Sequence, residues 1–244
     1  MRLCGIASLG ATKKDDLAST IARHLFNAAN SKHPSHVLAI DIGFVNLGHA
    51  RISRTNLAKG KGKGKGSALC LDSWAVSQVD SLDVPYWPPR LAANLDAFLG
   101  GVVGVAGERG LSMKETACVI ERQHWKPTTC TSQSVVRCAG LEAMLFGIMS
   151  SRSMNVCSVA AAKVAEWHSL ESGKKKKQSA VDRVHEIIGK GTVIEVPKHL
   201  ADKFKSEKKK DDMADALLIG LTYCEWLENT NAELQKHSDT LKLK

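Results

Sequence analysis

Five carboxylates stand where a carboxylate has no packing value. Asp41 interrupts the apolar run Leu38-Ala-Ile-Asp-Ile-Gly, and Glu121 closes a second one, Cys118-Val-Ile-Glu-Arg. Asp211, Asp212 and Asp215 open the otherwise apolar segment Asp211-Asp-Met-Ala-Asp-Ala-Leu-Leu-Ile-Gly. On a helix Asp211 and Asp212 share a face with Asp215, at i,i+4 and i,i+3. An acid inside a strand costs several kcal/mol unless it is paired or metal-bound. Taken singly each acid has a structural explanation: Asp41 bonds a turn, Glu121 pairs with Arg122 or Arg137, and the aspartates favour a helix N-terminus. Taken together, acids on two strands and one helix repel one another unless a cation holds them. Hard oxygen donors suit Mg²⁺ or Mn²⁺, and two such ions about 4 Å apart activate a water and stabilise the leaving oxygen of an in-line phosphodiester attack.

The elements that must position these acids follow from periodicity. Val37–Ile42, Gly48–Ser53 and Ala68–Val76 read as three consecutive strands of an antiparallel meander. Pro88-Pro89 starts a helix whose stripe is Leu91, Leu95, Phe98, Leu99, Val102 and Val103. Ala117–Ile120 is a buried-type strand, Gln133–Ser150 a helix, Asn155–Val159 a strand and Ser179–Ile188 a helix. Val193–Val196 reads as a further sheet element, and Asp211–Leu227 as the final long helix. Strands first in a meander and then alternating with helices predict an α/β fold, a mixed sheet covered by helices on both faces. Ahead of the first strand, Leu17, Ile21 and Leu25 keep helical spacing, and Ser31–Ser35 reads as a linker.

Composition narrows the partner. The 244 residues are 43% apolar, enough for a substantial core, and 34 Lys and Arg against 25 Asp and Glu leave +9, which favours a polyanion. The excess is clustered. Lys59, Lys61, Lys63 and Lys65 alternate with glycine in a segment able to lie along a phosphate backbone; Lys174, Lys175, Lys176 and Lys177 form a second group, and Lys203, Lys205 and Lys208–Lys210 a third. The longest apolar run, Ala97–Ala106, is about half a membrane span, so no membrane partner is expected. Seven cysteines without C-x-x-C spacing indicate neither a disulfide framework nor a zinc site, which fits a reducing compartment, and no signal peptide is visible.

Three segments together resemble a family: Ala39-Ile-Asp41-Ile-Gly43-Phe-Val-Asn46-Leu-Gly, Val119-Ile-Glu121-Arg122-Gln123 and Lys210-Asp-Asp-Met-Ala-Asp215-Ala-Leu-Leu. They look like the motifs of the RNase H-like Holliday junction resolvases, of the fungal mitochondrial cruciform-cutting type rather than the bacterial RuvC branch, over roughly residues 36–228. The resemblance implies an RNase H-like mixed five-stranded sheet flanked by helices, and a homodimer that binds four-way junction DNA. It further implies paired symmetric nicks made with two Mg²⁺ per active site, Mn²⁺ being able to substitute, and a role in mitochondrial DNA recombination and repair. Two nicks related by a two-fold axis need two active sites, which an isologous dimer supplies. By position Asp41, Glu121 and Asp215 match the family's metal-binding acids, and the fourth ligand is Asp212 or Asp211. Residues 1–33 resemble a clipped SAP-type helical segment, with Gly10 in its turn and Lys13 and Lys14 as DNA contacts or packing residues; 229–244 form a C-terminal tail.

Gln123-His-Trp-Lys directly follows the Glu121 strand, so Gln123, Trp125 and Lys126 are candidates for contact beside the scissile phosphate, Trp125 by stacking on an unpaired base. The hydroxyl-rich Thr128–Gln133 precedes a helix and either donates to phosphate or caps it, and Arg137, one turn in, could reach the same phosphate. In the resembling enzymes lysines near 174–177 contribute to the active site, and the sequence does not choose among the four. Two rival readings remain, a nuclease of RNA-DNA hybrids and a non-catalytic DNA-binding protein, the latter leaving the acids without a purpose. An actin-like ATPase would need glycine-rich phosphate loops, and the only dense glycine stretch here is interleaved with lysine.

Overall fold

A computed structural model describes residues 34–43, 45–54, 69–81, 83–107, 113–122 and 133–242. Five strands, β1 (His36–Asp41), β2 (Asn46–Arg54), β3 (Leu69–Gln78), β4 (Thr116–Arg122) and β5 (Asn155–Ala160), form one sheet in the order β3-β2-β1-β4-β5. β3, β2 and β1 pair antiparallel, whereas β1–β4 and β4–β5 pair parallel. The expected mixed five-stranded sheet is thus present. β1 is central and buried on both sides from Val37 to Asp41, which is why its sequence is a nearly unbroken apolar run.

Six helices are described: α1 (Pro88–Gly107), α2 (Gln133–Ser151), α3 (Ala161–Trp167), α4 (Lys176–Lys190), α5 (Lys198–Ser206) and α6 (Lys210–Lys242). Leu91, Leu95, Leu99 and Val103 of α1 and Leu141, Leu145 and Met149 of α2 share a core with Leu38, Ile40, Leu47, Cys118 and Ile120. That core occupies one face of the sheet. The residues between them in β1, namely Val37, Ala39 and Asp41, point to the opposite face, where Gly220 of α6 approaches Ala39 and Ile52. Small residues, Ala216 and Gly220, let α6 lie close on that face.

Two expectations are corrected. Val193–Val196 is not a strand of the sheet: Glu195 alone bridges Cys70, its N–H donating to Leu69 O and its carbonyl accepting from Leu71 N–H, both at 2.9 Å. The alternation that suggested a strand is too short to form a ladder against the β3 edge. The final helix does not stop at Leu227 but continues to Lys242, because no glycine or proline follows to end it. Sequence periodicity also missed α3 and α5, each under ten residues long. The chain divides into two compact units at Gly220, and Leu221–Lys242 is the described part of the second; within it Thr230 Oγ1 donates to Trp226 O at 2.8 Å.

The SAP-like segment 1–33, Lys59, Lys61, Lys63, Lys65, Gln123, Trp125, Lys126 and most of Thr128–Gln133 lie outside the described residues. Among the described residues no helix is long and apolar enough to cross a membrane.

Candidate active site

Strand register places the first two acids. Ile40 pairs with Ile120 in the parallel β1–β4 ladder, so Asp41 and Glu121, one residue further on, end side by side at the carboxyl edge of the sheet. Both point to the α6 face. Asp41 is only 9% exposed, and a hydrogen bond joins its carboxyl to that of Glu121. Burial raises the Asp41 carboxyl well above the usual range, and the charges of Glu121, Asp215 and Asp212 add to that rise.

The remaining acids come from the first turns of α6, and two contacts fix that end of the helix. Gly48, paired with Asp41 across β1–β2, lies beneath Asp212: a Cβ at position 48 would fall 2.2 Å from the Asp212 carbonyl oxygen. Only a glycine permits so close an approach. Trp74 of β3 donates its indole N–H to Met213 O at 2.8 Å, and its ring stacks on Phe204 of α5 at 4.5 Å. Asp215 thereby faces Glu121, and both line a small open hollow with Ala161, Val164, Ala165, Leu170, Lys176 and Ile219. Burial pushes the Asp215 carboxyl up to about 6; Lys176 opposes the shift, and Glu121 and Asp211 reinforce it.

Asp211 and Asp212 differ in environment. Lys177 forms an ion pair and hydrogen bond with Asp211. Although burial pushes the Asp211 carboxyl up, the Lys177 hydrogen bond and charge outweigh it and hold the group below the usual range. Asp212 is raised by burial and by Asp211, and its charge is felt at Asp41. The helical spacing left these two equivalent; the tertiary contacts do not.

Of the basic candidates, the structure brings Lys176 to the hollow and Lys177 to Asp211, while Lys174 and Lys175 are exposed on the short 3₁₀ turn just before α4. Arg137 is buried, 7% exposed, with its guanidinium 5.4 Å from the centre of the Tyr86 ring. Arg122 donates to Ser158 Oγ at 3.3 Å. Sequence reasoning missed Gly48, Trp74 and the small apolar wall of α3. A lone glycine within a strand does signal close backbone approach, but nothing local to Trp74 reveals a partner 139 residues away.

Among the described residues no three His, Cys, Asp or Glu side chains come together closely enough to hold a metal ion as they stand. The donor set itself nevertheless fits a hard divalent ion. Asp41, Asp212 and Asp215 are each raised by burial with a neighbouring acid adding to the rise, and Glu121 lies beside Asp41 and Asp215, so a cation would relieve the repulsion among their carboxylate oxygens.

No family model and no curated protein matches the sequence. Solved structures do match, and they define the class first: an RNase H-like α/β fold of the kind that junction resolvases adopt, built on this five-stranded sheet. In particular, the chain is similar to the yeast mitochondrial Holliday junction resolvase Ydc2, with a TM-score of 0.63 and 21% identity over 95% of this chain and 92% of that one. It is also similar to Thermus thermophilus RuvC, both in complex with a Holliday junction substrate (TM-score 0.51, 15% identity) and in a separate structure (0.51, 18%), each covering 79% of this chain and 95% of RuvC.

Proposed function

We propose that this protein is a structure-selective DNA endonuclease that resolves four-way junctions by paired symmetric nicks. The observation that carries the reading is the convergence of Asp41, Glu121, Asp212 and Asp215 at the carboxyl ends of β1 and β4 and the first turns of α6. The fold shared with the yeast resolvase and with RuvC supports the same substrate class.

Asp41, Glu121, Asp212 and Asp215 would hold two Mg²⁺, or Mn²⁺ in their place. When bound, such ions lower the pKa of a water nucleophile and neutralise charge on the leaving oxygen. The protein's own groups do the rest. Lys177 engages Asp211, leaving Asp212 as the fourth ligand. Lys176 keeps a positive charge beside Asp215, favouring its ionised form and offering a contact to the scissile phosphate. Ala161, Val164, Ala165 and Ile219 wall the hollow with apolar surface, so few waters share it with the acids. Lys174 and Lys175 extend the phosphate-binding surface, and we assign Lys59, Lys61, Lys63, Lys65, Gln123, Trp125 and Lys126 to further DNA contact. Arg137, buried over Tyr86, is not included in that surface.

We assign residues 36–228 to the nuclease domain, 1–33 to a SAP-like segment and 229–244 to a tail that ends the same helix. The likeness to a mitochondrial resolvase supports action on mitochondrial DNA, and two symmetric nicks call for a homodimer. One gel comparison tests the proposal: four-way, three-way and linear DNA and an RNA-DNA hybrid, each with and without Mg²⁺. Symmetric nicks confined to the four-way junction with Mg²⁺ are expected. Preferential cutting of the hybrid would point to a ribonuclease, and equally tight binding to linear duplex without nicking would point to a packaging protein.

A further inference from the structure

The third basic cluster of the sequence has no role in the reading above. α5 turns Leu200, Ala201 and Phe204 inward, and Phe204 lies between the rings of Trp74, at 4.5 Å, and His185, at 5.1 Å. This three-ring layer fixes the rotation of the helix, which leaves Lys198, Asp202, Lys203 and Lys205 exposed. Asp202 holds Lys198 at 2.6 Å and Lys205 at 3.9 Å, so one carboxylate spaces two ammonium groups along the outer surface. The corner into α6 continues the row with Lys208, Lys209 and Lys210. Its one acid, Glu207, accepts the backbone N–H of Lys208 at 2.8 Å and so braces the turn. From Lys198 to Lys210 there are six lysines against two acids.

The row leads to the candidate active site. α6 starts at Lys210, and Asp211 and Asp212 follow at once; the charge of Lys209 reaches both carboxylates. Lys198 and Lys205 are seven residues apart, about 10 Å along a helix, a length over which a duplex rises by about three base pairs. Among the described residues no exposed Phe, Tyr or Trp lies on α5 or this corner to stack a base. A row of ammonium groups without such a stacking platform suits a repeating polyanion, and its position selects the strand that enters the acid cluster.

We propose that the α5–α6 corner is a phosphate-backbone track, in which Lys198, Lys203, Lys205, Lys208 and Lys209 hold the DNA arm next to the cleaved strand. This rests on the junction-nuclease reading and adds a binding surface to it. Junction affinity of the full chain, measured by fluorescence anisotropy in EDTA over a range of salt concentrations, tests it with the triple substitution Lys198→Gln, Lys203→Gln, Lys205→Gln. Removing one lysine–phosphate pair should flatten the slope of log K against log salt by about 0.9, and the triple should bind roughly tenfold more weakly at low salt. A Lys→Arg triple should keep the wild-type slope, and Lys190→Gln, which removes an exposed lysine elsewhere, sets the background. A triple-Gln slope equal to that of Lys190→Gln would overturn the proposal. Should the triple not fold, as judged by circular dichroism, Lys203→Gln alone must still flatten the slope beyond Lys190→Gln, and failure to do so overturns it equally. Wild-type protein that nicks junctions while the variant slope stays unchanged sinks the track alone, whereas wild-type protein that neither binds nor nicks junctions sinks both readings.

Discussion

At the scale of single residues, the acid cluster stores repulsion. The Asp215 carboxyl is raised to about 6 by burial first, with Glu121 and Asp211 adding to it. An acid with a raised folded-state pKa binds more protons folded than unfolded, so between about pH 4 and 6 the metal-free protein loses stability as pH rises through the folded value. Asp41 acts in the same direction. Asp215→Asn should therefore stabilise the metal-free protein at pH 7.5 by up to about 3 kcal/mol, with the advantage vanishing below about pH 4. Thermal melts in EDTA across that range check it, and a variant no more stable than wild type at neutral pH would contradict the burial argument. The same substitution, like Asp41→Asn, should abolish nicking while leaving junction binding largely intact, because lysines rather than the acids supply affinity. Lys176 gives a second test. Since its charge opposes the rise at Asp215, Lys176→Met should move the acid limb of the rate–pH profile to higher pH, and an unmoved limb would separate Lys176 from the acids.

At the scale of elements, the site depends on how α6 meets β2 and β3. Gly48→Ala would set a methyl group 2.2 Å from the Asp212 carbonyl, against backbone that cannot rotate away. The helix end must lift, at a cost of about 1–3 kcal/mol, the range for an overpacked contact. Half-saturating Mg²⁺, read by calorimetry, should rise with it. Trp74→Phe is the milder counterpart: it retains an aromatic ring against Phe204 but loses the hydrogen bond to Met213 O. About 1 kcal/mol of stability should go. A weaker apparent Mg²⁺ affinity, measured without DNA, would distinguish positioning of the carboxylates from a purely structural contribution.

At the scale of the whole molecule, a pair of symmetric cuts demands two active sites. Sedimentation should give twice the 26.4 kDa of the chain. A mixed dimer with one Asp215→Asn protomer should nick one strand of a junction and leave the opposed strand whole; two cuts from such a dimer would mean that one site acts twice.

Much of this was legible in the sequence for a physical reason. A carboxylate inside an apolar run is conspicuous, so Asp41, Glu121 and the Asp211–Asp215 group could be picked out by their cost. Strands β1 to β5 stand out as short β-rich runs, and the long helices α1, α2, α4 and α6 as longer helical segments, features that survive without any knowledge of partners. Short elements do not: α3 and α5 hold too few turns for a stripe, and Val193–Val196 imitates a strand over only four residues. Tertiary structure decided the matters that depend on distance through space. Asp211 and Asp212 are equivalent on a helical wheel and became different only when Lys177 from α4 reached one of them. Lys176 was one lysine in a run of four until α4 packed and brought it to the hollow beside Glu121 and Asp215. The sequence determined which groups must pay for burial; packing alone determined which of them meet, because a charge's partner is set by neighbours in space rather than along the chain.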